Sequence, residues 1–157
     1  MTRLAPLAPA LALALAATQA LAQSVGTMPD PVITPGAVRS TDFDEICGQP
    51  TAALRFMPRE RADAILVRYG LPTEAHPNFQ IDHLVPLCLG RSDEDANLWP
   101  EPRRSIAAIE NAERKDRLET RLCQLVCANE VDIVEAQHDI AEDWIAAYSR
   151  YVGKGDD

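Results

Sequence analysis

Asp82-His83, Asn97, Asn111 and Lys115 are the residues of this chain whose types and order could do chemistry together. Asp82-His83 sits in an apolar run, Asn97 opens the next, and Asn111 and Lys115 fall in a helical stretch beyond. A β-hairpin packed on a helix can hold a divalent ion between a strand carboxylate and an oxygen or imidazole from the helix. The neighbouring His83 is then left to take a proton from water, a task suited to the one side chain that titrates near neutrality. That pairing, a charge clamp on phosphate and a base beside it, is a design for hydrolysing phosphodiesters.

The motif is more specific than an Asp-His dipeptide. The run IDHLVPLCLGRSDEDANLWPEP resembles the His-Me finger, or HNH, nucleases. Phe79 to Cys127 is similar to the exported HNH-like proteins of bacteria, with D-H-L-x-P-x-x-x-G followed by N-L-W-P. The residues carrying the resemblance are Asp82, His83, Leu84, Pro86, Leu87, Gly90, Asn97, Leu98, Trp99 and Pro100. It implies an α+β fold with a small ββα-metal core and flanking helices, mostly helical by residue count. It also implies a metal-dependent, sequence-nonspecific endonuclease acting on DNA in preference to RNA. By the resemblance, Asp82 would bind the ion, His83 would be the general base, and Asn97 would bond the backbone around His83 and orient its ring. The last position, His in many members and Asn in some, falls on Asn111. Its amide oxygen suits a hard cation, Mg²⁺ first and Mn²⁺ as an alternative, and Glu113 competes for that role. The turn, often Gly-Gly in the family, is Gly90-Arg91 here. The other reading is a catalytically degenerate version of this scaffold, a binding or structural protein of the periplasm.

Arg103, Arg104, Arg114 and Lys115 are candidates to grip phosphate oxygens. The competing account pairs the basic residues here with Glu110, Glu113, Asp116 and Glu119 on a solvated helix. His76 and His138 read as surface residues without a role.

Several elements must position these groups. Pro58-Arg59-Glu60 opens a helix whose apolar side is Ala62, Ile65, Leu66 and Tyr69, and Gly70 with Pro72 stops it. A strand runs from Phe79 until Pro86 ends or bends it, a polar turn spans 90–96, and Asn97–Pro100 is a second strand. Ile106, Ile109, Leu118, Leu122, Leu125 and Val126 predict a long helix ending near Ala128-Asn129. Asp132 and Glu135 start a last helix over 132–152, with Ile133, Ile140, Trp144, Tyr148 and Tyr151 on one face.

The whole chain has 157 residues, 46% hydrophobic, with Lys+Arg 15 against Asp+Glu 24 and a formal charge of −9. That length and apolar content support one folded domain, here 40–153 with its motif core at 78–127, and exclude global disorder. The acidic balance excludes a surface that binds polyphosphate everywhere, so any nucleic-acid contact must be local. Residues 1–22 have a single Arg3, a Leu/Ala run and Ala20-Leu21-Ala22, the pattern of a secretory signal peptide cut before Gln23. The expected destination is the periplasm or the exterior, with no stable membrane insertion after cleavage. Residues 23–39, with Pro29, Pro31, Pro35 and Gly36, read as an extended, mobile leader.

In an oxidising compartment Cys47, Cys88, Cys123 and Cys127 become two disulfides. Cys123 and Cys127 lie one turn apart on one helix and are poorly placed to bridge each other. Cys47–Cys127 with Cys88–Cys123 is preferred, and Cys47–Cys123 with Cys88–Cys127 stays open.

Overall fold

A computed structural model describes residues 26–48 and 57–153. The expected signal peptide at 1–22 and the first residues of the expected leader lie outside the described residues. The fold is mixed α+β and 52% helical. Its order is α1 (Phe43–Cys47), α2 (Arg59–Arg68), β1 (Phe79–His83), β2 (Leu98–Pro102), α3 (Ala112–Cys127) and α4 (Ile133–Tyr151), with short 3₁₀ turns around the strands.

The two strands form an antiparallel hairpin in which Asp82 pairs with Trp99 and His83 with Leu98. Strand β2 tolerates two prolines for a backbone reason. The Asn97 carbonyl accepts from Leu84 N at 2.8 Å, so Asn97 and then Trp99 and Glu101 turn their polar groups toward β1. Leu98, Pro100 and Pro102 turn theirs away, and the Leu98 carbonyl accepts from the Thr34 hydroxyl at 2.8 Å. The missing proline N–H groups therefore cost no ladder bond.

Gly90 ends the turn after Pro86 in the left-handed region, at φ 73°. A Cβ there would stand 2.2 Å from the Ser40 carbonyl oxygen, so only glycine fits. The core lies between the hairpin and the two long helices, where Trp99, Leu118, Leu122, Ile140, Trp144 and Tyr148 are all buried.

Helix α3 begins later than its apolar spacing predicts. Residues Ile106 and Ile109 are exposed, on turns, and Asn111 is the N-cap, its Oδ1 accepting from Arg114 N at 3.2 Å. A cap that takes the first free N–H groups sets the start more firmly than two exposed isoleucines can. The helix ends on Asn129 at φ 57°, where Glu130 N donates to the Leu125 carbonyl at 2.8 Å.

Helix α4 starts on Asp132 and is interrupted at Asp143, whose backbone is extended. The Asp143 carboxylate caps the second half by accepting from Ile145 N and Ala146 N.

The described part of the leader, residues 26–39, includes a hydrogen-bonded turn after Asp30 and packs on the domain. Thr34 is buried, Gly36 N donates to the Ala96 carbonyl, Val38 bridges Arg91, and the Trp144 indole donates to the Thr27 carbonyl at 2.9 Å. Long-range backbone bonds hold it, and such bonds leave no local periodicity to read.

Both disulfides form, Cys47–Cys127 and Cys88–Cys123, with Cα separations of 5.5 and 5.6 Å. They tie α1 and the turn after β1 to the C-terminal half of α3, and they suit an oxidising environment. No described helix is long and apolar enough to cross a membrane.

Candidate active site

The last residue of β1, His83, borders a cleft of about 520 Å³ lined by Arg61, His76, Asp82, Arg91, Asp93 and Arg103, among others. Its Nε2 lies 3.1 Å from Asp93 Oδ1, and its Nδ1 lies 3.4 Å from Arg91 Nη1 and 3.8 Å from Asp82 Oδ1. A guanidinium only donates. Facing Arg91, Nδ1 must therefore be the acceptor, and the ring proton sits on Nε2 and points to Asp93. This is the tautomer a general base needs, with Nδ1 next to the Asp82 carboxylate.

Asn97 fixes the chain just beyond that histidine. It is fully buried, its Oδ1 accepts from Val85 N at 2.9 Å, and its Nδ2 donates to the carbonyls of Val85 and Ser92, each at 3.0 Å.

On the α3 side of the hairpin lies a cluster of ionisable side chains, buried except for Asp116. Register pairs Gln80 with Glu101 and Asp82 with Trp99, so these four side chains leave the same face. Opposite them, Lys115 Nζ donates to the His83 carbonyl at 2.8 Å and to Glu119 Oε1. The carboxylate oxygens of Asp82, Asp116 and Glu119 lie within 4.8 Å of one another. Glu101 is fully buried, and neither of its oxygens has a hydrogen-bond partner.

Burial pushes the Glu101 carboxyl up to about 8, with the charges of Asp82, Glu119 and Asp116 adding to it against Lys115. Glu119 is raised by burial and by Asp82 in the same way. For Lys115, burial works to lower the pKa, but Glu119, Glu101 and Asp82 outweigh it and hold the ammonium above the usual lysine range.

Three of these carboxylates could hold a hard divalent cation. Asp82, Asp116 and Glu119 offer carboxylate oxygens at close range, and Lys115 is the buried cation beside them. The sequence marks Asp116 and Glu119 only as ion-pair partners on a solvated helix, and it does not mark Glu101. The one available signal was that Asp116 and Glu119 stand three apart, on one side of α3.

The structure redistributes the other expected site residues. Lys115 is fully buried and committed to His83 and Glu119, so it is a core cation and not a phosphate contact. Arg114 is buried with its guanidinium 4.0 Å above the Tyr148 ring. Arg104 is exposed and pairs with Glu113 at 3.1 Å. Of the four, Arg103 alone lines the cleft, where it donates to the Phe79 carbonyl at 3.3 Å and to Gln80 Oε1 at 3.4 Å.

Asn111 caps α3 with its Oδ1, and its Nδ2 donates to the Ala107 carbonyl at 3.0 Å in the preceding turn. His76 lines the cleft as well, 2.6 Å from Asp63 Oδ1, so it has a partner and a place that its sequence context does not show. His138 is exposed on α4.

Comparison with known proteins finds no matching family model, curated protein or solved structure. The functional reading therefore rests on the chain's own residues.

Proposed function

We propose that this protein is an exported, metal-dependent endonuclease with a ββα-metal core, made by the β1–β2 hairpin and α3. The observation that carries the reading is the His83 ring. Asp93 orders its Nε2, and its Nδ1 lies 3.8 Å from Asp82, where a hairpin carboxylate meets the acidic cluster of α3. Arg61, Arg91 and Arg103 line the same cleft and supply local positive charge beside Asp82 and Asp93.

In this mechanism Asp82, Asp116 and Glu119 would hold the cation, Mg²⁺ or Mn²⁺. When bound, the cation supplies electrostatic stabilisation to the charge that builds on the phosphoryl oxygens and the leaving oxygen. The chain does the rest. The arginines seat a diester in the cleft, and Asp93 holds the His83 tautomer. His83 Nδ1 accepts a proton from the water whose oxygen forms the new bond to phosphorus as the bond to the 3′-oxygen breaks. Asn97 and Lys115 grip the main chain at Val85 and His83, which keeps the base in place.

A second reading, a binding module on a degenerate scaffold, draws on Lys115. Its ammonium already offsets part of the charge that a cation would neutralise.

Plasmid nicking by the oxidised protein separates the two. Nicking with Mg²⁺ or Mn²⁺ that EDTA stops and His83→Ala abolishes is the expected result. No metal-dependent cleavage of DNA or RNA, or nicking retained by His83→Ala, would leave the binding module.

A further inference from the structure

Arg91 stands where its donors are only half used. Its side chain is 10% exposed, yet its Nε makes no hydrogen bond, although Asp93 Oδ1 lies 3.2 Å away. Its Nη1 faces His83 Nδ1 at 3.4 Å, the same nitrogen that must accept a proton from water. The backbone pins the residue, with Arg91 N donating to the Pro86 carbonyl and a bridge to Val38, while the guanidinium faces the cleft.

A phosphodiester is the ligand this arrangement suits. Its two non-bridging oxygens match the forked donors of arginine and would satisfy Nε along with an Nη. What holds the guanidinium meanwhile is weak: one long contact to an imidazole and one to Asp93, whose side chain is 72% exposed. Exchanging those for a bidentate pair to an anion is favourable, and it removes the donor from His83 Nδ1.

We propose that Arg91 is a cap on the base nitrogen of His83 that the phosphate of a bound diester draws away, so that substrate itself frees the base. This rests on the nuclease reading above and assigns the phosphate grip to a residue of the Gly90-Arg91 turn. Arg104, Arg114 and Lys115 are occupied elsewhere. No bond is made or broken in the step, which moves one guanidinium between two acceptors.

The test uses the dinucleotide dTpdT and its methylphosphonate analogue, which lacks the anionic oxygen, added to EDTA-treated protein so that nothing is cleaved. Imidazole ¹⁵N resonances report Nδ1 of His83, and titration gives the affinity. In the wild type, dTpdT is expected to shift the Nδ1 resonance and the methylphosphonate to leave it in place. In Arg91→Ala, Nδ1 is expected at its uncapped position without ligand, with dTpdT binding weakened about ten- to hundred-fold. Arg91→Lys, which keeps the charge and loses the fork, should fall between.

An unmoved Nδ1 at saturating dTpdT, or wild-type affinity in Arg91→Ala, would overturn the proposal. Plasmid nicking run alongside keeps the two ideas apart. Metal-dependent nicking with an unmoved Nδ1 sinks the cap alone. Binding and uncapping without nicking uphold the cap and sink the nuclease. Neither binding nor nicking sinks both.

Discussion

Lys115 Nζ donates to the main-chain carbonyl of His83 at 2.8 Å, a bond across thirty-two residues of sequence that joins the first turn of α3 to the end of β1. The same ammonium pairs with Glu119, one turn along its own helix. Helix, strand end and acidic cluster thus share one cation, which ties the end of β1 to α3.

Removing that cation should cost more than an exposed ion pair would. Lys115→Met leaves Glu119 and the His83 carbonyl buried without their donor, which predicts a loss of about 3–5 kcal/mol in urea unfolding. The double variant Lys115→Met, Glu119→Gln removes the stranded carboxylate and should recover part of it. A double variant as unstable as the sum of the singles would show that the pair does not act as one.

Glu101 predicts the pH dependence of the EDTA-treated protein. Its ordinary value is 4.5, and the fold raises it to about 8. Between those two pH values the folded protein holds a proton that the unfolded chain has released. The stability associated with this group is therefore fully present below 4.5 and is lost as pH rises toward and through 8. Denaturation at pH 5 and pH 8.5 should show a fall of a few kcal/mol across that window. Glu101→Gln should flatten the slope only in part, because Glu119 is raised in the same direction. An unchanged slope in that variant would mean Glu101 does not titrate there.

What was legible in the sequence was what local pattern encodes. Asp132 followed by residues at helical spacing marks α4, and Gly70 with Pro72 marks the end of α2. Phe79, Ile81 and the Asn97-Leu98-Trp99 run mark the hairpin, and helix geometry narrows the cysteines to two pairings, of which the preferred one forms. The late start of α3 was hidden because Ile106 and Ile109 fall at helical spacing while lying on exposed turns. Lys115 and Glu119 read as a solvated pair because an i,i+4 pattern is the same whether water or a hairpin covers it. Asp116, Glu119 and Glu101 join Asp82 through packing between a helix and a strand pair that are distant in sequence. Arg91, in a turn, has no periodicity to announce it.

Asn97 predicts a backbone defect at the site. Asn97→Ala removes the acceptor for Val85 N and the donor to Val85 and Ser92, all in a fully buried place. The expected loss is about 3 kcal/mol or more, because orphaned buried groups cost about 1–3 kcal/mol each. Amide exchange at Leu84 and Val85 should accelerate well beyond the change at Leu122, in the core of α3. Uniform acceleration at all three would mean the residue only adds to global stability.

The ligand set itself divides the sequence expectation from the structural one. If Asp82, Asp116 and Glu119 hold a divalent cation, saturating Mn²⁺ should stabilise the wild type by about 2.7 kcal/mol at a hundred times its Kd. Asp82→Asn and Asp116→Asn should lose that response, since each removes a carboxylate oxygen from the cluster. Asn111→Ala should keep it. Its amide caps α3 and its loss costs about 1 kcal/mol of stability with or without the ion, because the cap acts on the helix backbone. The opposite pattern, a response lost in Asn111→Ala and kept in Asp116→Asn, would return the ligand role to Asn111 and remove Asp116 from the site.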